Sequence, residues 1–298
     1  MWLVITLVAI LALCTSQILD KLLVTKKVSD PGVMTFWIAL GQLAGIALIF
    51  WNFNFQFNYS VLAIALCSGI FYVVAMQFYY HAIKGGEASH LVPFVGGLVP
   101  LVITLASRFL LNENLNNLQY AGIVVASLGT LLIGFENTKG KFVFSRSSLL
   151  ALCAAIFFGL SHVFAKWGYV QDTFSTVFVI ARFGAFFAII PLLFSRNIRV
   201  EIFKKSKAKK HGGYLYLLAA NMILAIIYFI GIQYAFSLAG ASIVSGVGTL
   251  EYALFIVLIF IISRYFPKII KEKFYKKEII VQVISICLII AGTVLMLI

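Results

Sequence analysis

The sequence predicts an all-α integral membrane protein with ten transmembrane helices, arranged as two inverted five-helix repeats. Three observations predict this fold: the apolar composition, the spacing of the apolar runs and a similarity between the two halves of the chain. Hydrophobic residues make up 62% of the chain and charged residues only 11%, whereas a soluble protein keeps about a quarter of its residues charged. The composition therefore excludes an ordinary soluble domain.

Each apolar run is about as long as a helix that crosses a bilayer, which takes roughly 20 residues. Polar or turn residues separate the runs, as at Asp30-Pro31-Gly32, Lys84-Gly85-Gly86 and Phe266-Pro267-Lys268. Very few residues join spans eight and nine, so that break carries the weakest signal. The expected spans are 2–20, 33–51, 60–82, 88–110, 117–135, 148–167, 174–194, 213–236, 240–263 and 279–298.

The net charge of +13 lies mainly in the connections between the spans. All Lys and Arg residues except Arg108, Lys166 and Arg182 fall in odd-numbered connections, led by 196–210 and 264–277. The positive-inside rule places such loops in the cytoplasm and both termini outside, as in a multi-pass protein of the plasma membrane. Short basic loops that face anionic lipid explain the charge better than nucleic-acid binding does.

Spans one to five resemble spans six to ten in sequence. "SQILDK" (16–21) matches "SHVFAK" (161–166), and "YHAIKGGEAS" (80–89) matches "QYAFSLAGAS" (233–242). Five crossings per copy turn the second copy upside down, as in many secondary transporters, which bind substrate near the membrane midplane between the halves. The predicted organisation is a first repeat over 1–135, a connecting loop over 136–147 and a second repeat over 148–298.

These motifs, together with Lys21, Lys166 and Arg182, resemble the EamA-type ten-helix members of the drug/metabolite transporter superfamily. "GGLVPLV" (96–102) and the Asn112-Glu113 turn are similar to the family's proline-centred fourth helix and the acidic turn that follows it. The resemblance covers nearly the whole chain and implies a transporter. It also implies cytoplasmic termini, opposite to the charge pattern, because well-described members are usually drawn that way.

Polar and ionisable residues inside the spans are candidates for a substrate cavity, because such groups are costly in lipid and normally face a cavity or a partner. Glu251 and Arg182 either form an ion pair that holds second-half helices together or contact substrate or a coupling proton. For the histidines, tyrosines and amides the alternative is packing or hydrogen bonding between helices. The candidate cavity residues are His90, Glu251, Arg182, Gln17, His162, Tyr79, Asn221 and Tyr228.

Span four contains prolines, which interrupt helical hydrogen bonding, and glycines, which reduce the width of a helix. Each proline leaves the carbonyl four residues earlier without its helical partner, and paired glycines allow another helix to come close. His90 shares a helical face with the two prolines, so we expect this span to lie beside the cavity. The predicted helix-break and packing residues are Pro93, Gly96, Gly97 and Pro100.

The predicted function is secondary transport that exports small metabolites, such as amino acids or drug-like compounds. No GxxxxGK[ST] loop is present, so coupling would come from protons or exchange, with Glu251 and His90 as first candidates. One alternative is a nucleotide-sugar or lipid-linked carrier, although Arg182 is the only basic residue well inside a span. A membrane-embedded enzyme is another alternative, but the sequence has no HExxH motif, no GxSxG motif and no paired carboxylates within one span. A non-transporting scaffold is a further alternative, and the internal repeat argues against it. We expect no enzyme activity, no cofactor and no metal, in a monomer or homodimer.

Overall fold

In the computed structural model, all regular secondary structure among the described residues is helical; these residues are 1–23, 30–50, 52–86, 88–136, 145–203, 212–265 and 276–298. Ten of its segments are long and apolar enough to cross a membrane, so the predicted all-α ten-span fold is confirmed. The α-helices are α1 (Trp2–Leu23), α2 (Pro31–Gly41), α3 (Tyr59–Gly85), α4 (Ala88–Leu110), α5 (Asn117–Glu136), α6 (Arg146–Gln171), α7 (Phe174–Ile189), α8 (Arg196–Phe203), α9 (Gly212–Leu238), α10 (Ala241–Gly248), α11 (Leu250–Tyr265) and α12 (Lys276–Leu297).

The helix starts follow from short polar side chains that accept hydrogen bonds from otherwise unpaired backbone N–H groups. Asp30 caps α2 and precedes Pro31 in its first turn, while Asn58 caps α3. Ser145 and Ser148 cap α6 reciprocally, and Thr173 caps α7. The break between α9 and α10 falls at Gly240, as predicted from a very short connection. The predicted turn at 266–268 lies outside the described residues.

The second and seventh spans change geometry before they end. Each begins as an α-helix and finishes as a 3-10 helix, over Gln42–Phe50 and Ile190–Phe194. Pro191 stands in the first turn of the latter segment, where its missing N–H costs least. The short helix α8 within the basic connection was not predicted, because eight residues are too few to leave an apolar run.

The prolines of α4 do not interrupt it, whereas the proline-free ninth span is divided. Between α10 and α11, the hydroxyl of Thr249 donates to the carbonyl oxygen of Gly246 at 2.7 Å. A threonine hydroxyl that bonds its own backbone competes with the helical ladder, and glycines nearby lower the cost of leaving it. Gly246 and Gly248 flank this point, so local side-chain chemistry, and not proline, makes the break.

Helix pairs from the two halves make the core of the bundle. α3 packs against α6 and α7, α1 against α9, and α5 against α12. Gly122 of α5 and Gly292 of α12 bring these two backbones together: a Cβ added at either glycine would lie 2.5–2.6 Å from the carbonyl oxygen of the other. Small residues allow such close helix contacts in membranes.

Two polar contacts join positions that the predicted repeat relates. The hydroxyl of Ser16 in α1 donates to Oδ1 of Asn221 in α9 at 2.6 Å. In α3 and α6, the hydroxyls of Ser68 and Ser161 each donate to the other residue's carbonyl oxygen, at 2.9 and 2.8 Å. Ser16 corresponds to Ser161 in the first sequence match, and Asn221 corresponds to Ser68 at the same offset that relates 80–89 to 233–242. The inverted repeat itself stays a prediction.

Candidate substrate cavity

A cavity of about 320 Å³ lies in the middle of the bundle, between α1, α3, α4, α6, α9 and the α10–α11 break. Its volume is at the lower end of the range for small-molecule sites, about 300–1,000 Å³. Aromatic rings and aliphatic side chains form most of the wall. The polar lining residues are Gln17, Tyr72, Tyr79, His162, Tyr228, Ser245, Thr249, Glu251 and Tyr252.

The cavity contains part of the predicted set of site residues. Among the described residues, those that line it are Gln17, Tyr79, Gly96, Pro100, His162, Tyr228 and Glu251. Arg182, Asn221, Pro93 and Gly97 are not in the lining. The side chain of His90 lies outside the described residues, so its predicted place in the cavity stays a prediction.

Glu251 is the carboxylate among the described residues that line the cavity, and the break in the ninth span positions it. It lies in the first turn of α11, where the helix dipole favours a negative charge. Nε2 of Gln17 donates to its Oε1 at 2.6 Å, and Sγ of Cys14 donates to its backbone carbonyl oxygen at 3.4 Å. Both partners are on α1, so a helix of the first half of the chain positions Glu251, which belongs to the second half.

Arg182 is buried behind the cavity wall, with 3% of its surface exposed. Its guanidinium donates to Oε1 of Gln42 and lies over two aromatic rings, 4.8 Å from the centroid of Phe178 and 4.5 Å from that of Phe229. Phe229 lines the cavity on its other side. In the described part of the chain, Arg182 and Glu251 therefore have separate partners and form no ion pair. The cation stabilises the aromatic wall by cation–π contact.

The two adjacent glycines of α4 face different neighbours. A Cβ at Gly96 would collide with the phenol of Tyr252, which also lines the cavity. A Cβ at Gly97 would instead meet Leu131 and the carbonyl oxygen of Ser127 in α5. The predicted close approach of another helix thus occurs on both sides of α4. Gly96 leaves room for Tyr252 in the cavity wall, and Gly97 allows α4 to pack closely against α5 within the first half of the chain.

Several lining residues were missed by sequence reasoning. Phe158 precedes His162 by one helical turn, a spacing that could have found it. Phe229 and Tyr252 adjoin the predicted Tyr228 and Glu251 in sequence, yet neighbours on a helix normally face different directions. Both line the cavity because large side chains cover a wide arc. Thr249 could not be predicted as a lining residue, because single threonines are common in transmembrane helices.

A buried apolar cluster lies next to the cavity, at the bundle end where α1 begins. Ala9, Ile103, Val163, Phe236 and Val244 come from five helices and belong to one buried apolar cluster there. Next to it, Glu113 at the end of α4 accepts hydrogen bonds from Ser242 of α10, 2.9 Å from the hydroxyl and 3.4 Å from the backbone nitrogen. A carboxylate at a helix N-terminus is a favourable contact, so it ties the two halves together at this end.

A ten-span helical membrane protein with a cavity lined by helices of both halves has the architecture of a transporter. Residues 1–135 match the EamA-like transporter family, which confirms the resemblance to the drug/metabolite transporter superfamily and implies a transporter of that type. A crystal structure of a protein aligns with 99% of this chain and 95% of its own chain, at a TM-score of 0.70 and 19% identity. At that identity the likeness shows the fold alone. No curated protein matches the chain.

Proposed function

We propose that the protein is a secondary carrier of small metabolites, which it exports across the plasma membrane by alternating access between its two five-helix halves. Amino acids and drug-like amines are the proposed substrates. The observation that carries this proposal is the central cavity, whose described lining contains one carboxylate, Glu251, among aromatic rings. A carboxylate and aromatic faces together attract a cationic nitrogen.

The contacts at the end where α1 begins support the alternating-access part of the proposal. Apolar packing and the Glu113–Ser242 hydrogen bond join helices of the two halves there. A carrier must break such contacts to release substrate there, and a few hydrogen bonds between halves are weak enough to exchange. Nucleotide-sugar transport has less support, since no Lys or Arg is among the described lining residues and phosphates would want several cations.

Flux in liposomes tests the proposed function. The purified protein should carry small amines or amino acids saturably, and an imposed pH gradient should change the rate, because the Glu251 carboxylate can bind either a proton or the cationic substrate. Protein-free liposomes serve as the control, and radiolabelled substrates are counted with and without the gradient. Absence of flux for the whole panel under every gradient would contradict the carrier proposal.

For the orientation, we propose that the basic connections face the cytoplasm. Ser195 lies beside α8 at the basic end and Asn117 at the opposite end, and both are exposed. In a variant without native cysteines, Asn117→Cys should react with a membrane-impermeant maleimide on intact cells. Ser195→Cys should react only after permeabilisation. The reverse pattern would place both termini in the cytoplasm, as the family resemblance implies.

A further inference from the structure

Three side chains from two helices form a row of hydrogen bonds that ends at the cavity wall. The hydroxyl of Tyr169 in α6 donates to Oε1 of Gln233 in α9 at 3.1 Å. Nε2 of the same amide lies 3.3 Å from Nδ1 of His162 in α6. Gln233 is buried, with 3% of its surface exposed, so water does not replace these contacts. The imidazole of His162 stacks on Phe236, with ring centroids 4.9 Å apart.

These contacts determine where His162 carries its proton. A carboxamide oxygen only accepts and its nitrogen only donates, and the structure places Oε1 of Gln233 toward the Tyr169 hydroxyl and Nε2 toward His162. The amide nitrogen then donates to Nδ1 of His162, which must be unprotonated to accept. A neutral imidazole whose Nδ1 accepts holds its proton on Nε2.

Nε2 of His162 has no partner among the described residues, and the side chain lines the cavity. The cavity therefore offers an N–H donor from α6 and a carboxylate acceptor from α11, at Glu251. A ligand that satisfies both groups has a protonated amine and, elsewhere on the same molecule, a hydrogen-bond acceptor. A simple amine without an acceptor would leave the imidazole N–H unsatisfied, at a cost in affinity.

We propose that Tyr169 and Gln233 are positioning residues that hold His162 as an Nε2–H donor, so that the cavity selects amines that also carry a carbonyl or carboxylate acceptor. This inference rests on the proposed function, since it names the substrate class of the same cavity. Neither Tyr169 nor Gln233 is in the cavity lining, so their effect on a ligand passes through His162.

The tautomer can be read without any ligand. The chain has four histidines, and ¹⁵N-labelled imidazoles report which nitrogen is protonated. His162→Asn identifies the relevant signal by its loss. The wild-type protein should show His162 protonated on Nε2. Gln233→Glu keeps the shape but has two acceptor oxygens, so it should move the proton to Nδ1. A wild-type His162 protonated on Nδ1 would overturn the proposal.

Binding to the purified protein then tests the selectivity with two probes of similar size. Phenylalanine methyl ester has an ammonium group and an ester that only accepts, whereas phenylalaninol has a hydroxyl that both donates and accepts. Gln233→Glu turns Nε2 into an acceptor, so the ratio of ester to alcohol affinity should fall about tenfold. The added carboxylate attracts both ammonium groups alike, so it cancels in the ratio.

Tyr169→Phe is the second variant, because it removes only the hydroxyl that orients the amide. It should lower the same affinity ratio by a smaller factor and show a mixture of both tautomers. An unchanged ratio in Gln233→Glu despite a moved proton would overturn the selectivity claim, as would a wild-type protein that binds neither probe. Equilibrium binding does not require transport, so a protein that binds selectively without flux would contradict only the proposed function.

Discussion

Replacing Glu251 by Gln should reduce amine flux by about 100-fold or more while the protein still folds. The substitution removes the charge and keeps an oxygen that can accept from Nε2 of Gln17, now at 2.6 Å from the carboxylate. Loss of one partner of a poorly solvated charge pair costs about 3–5 kcal/mol, and each 1.4 kcal/mol is about tenfold in affinity. Initial flux rates in liposomes measure the effect, and size-exclusion elution of the purified variant reports its folding.

Glu201→Gln is the matched control, since it removes a carboxylate that is exposed on α8 and should leave flux unchanged. Glu251→Asp keeps the charge and should retain part of the activity. If Glu251→Gln failed to accumulate as a folded protein, the carboxylate would have a structural role. Full flux in a well-folded Glu251→Gln variant would remove Glu251 from the substrate site.

Gly96→Ala should lower flux by about tenfold or more. The added methyl group would overlap the phenol of Tyr252, and forcing an extra carbon into a packed site typically costs about 1–3 kcal/mol. Tyr252 must then leave its place in the cavity wall, which changes the shape that the substrate meets. The measurement is the initial flux rate per folded protein, compared with the wild type.

Two further variants show whether the collision itself is responsible. Adding Tyr252→Phe to Gly96→Ala removes the hydroxyl from the contact, so we expect partial recovery of flux. Gly248→Ala adds the same methyl group to the same cavity at a position with no atom within 4 Å of the new carbon, and it should have little effect. Equal losses in Gly96→Ala and Gly248→Ala would mean that cavity volume, and not Tyr252, decides the outcome.

Much of the candidate site was predictable because a bilayer makes polar residues conspicuous. Gln17, His162 and Glu251 stand out in apolar spans, where an unsatisfied polar group is expensive, and all three line the cavity. Asn221 stood out for the same reason but bonds Ser16 in the contact between α1 and α9. A polar residue in a span predicts that a partner exists, but not whether the partner is a ligand or another helix.

Residues that position a neighbouring side chain without lining the cavity were harder to predict from the sequence. Gln233 lies in the motif "QYAFSLAGAS", where its amide looks like part of a helix end. Its importance comes from His162 and Tyr169, which are 71 and 64 positions away in the chain. The same is true of Arg182, whose partner Gln42 is 140 positions away. Hydrogen-bond partners at such separations leave no local pattern.

The fold class and the ten spans were predictable from the order of the amino acids, because hydropathy and run length are local properties to which the bilayer responds directly. The packing of the helices was needed to show which polar residues meet in one cavity, that Arg182 and Glu251 have separate partners among the described residues, and that Thr249 rather than a proline breaks a span. These depend on how helices from both halves pack against each other. The side-chain partners that packing supplies are not encoded in any single stretch of the chain.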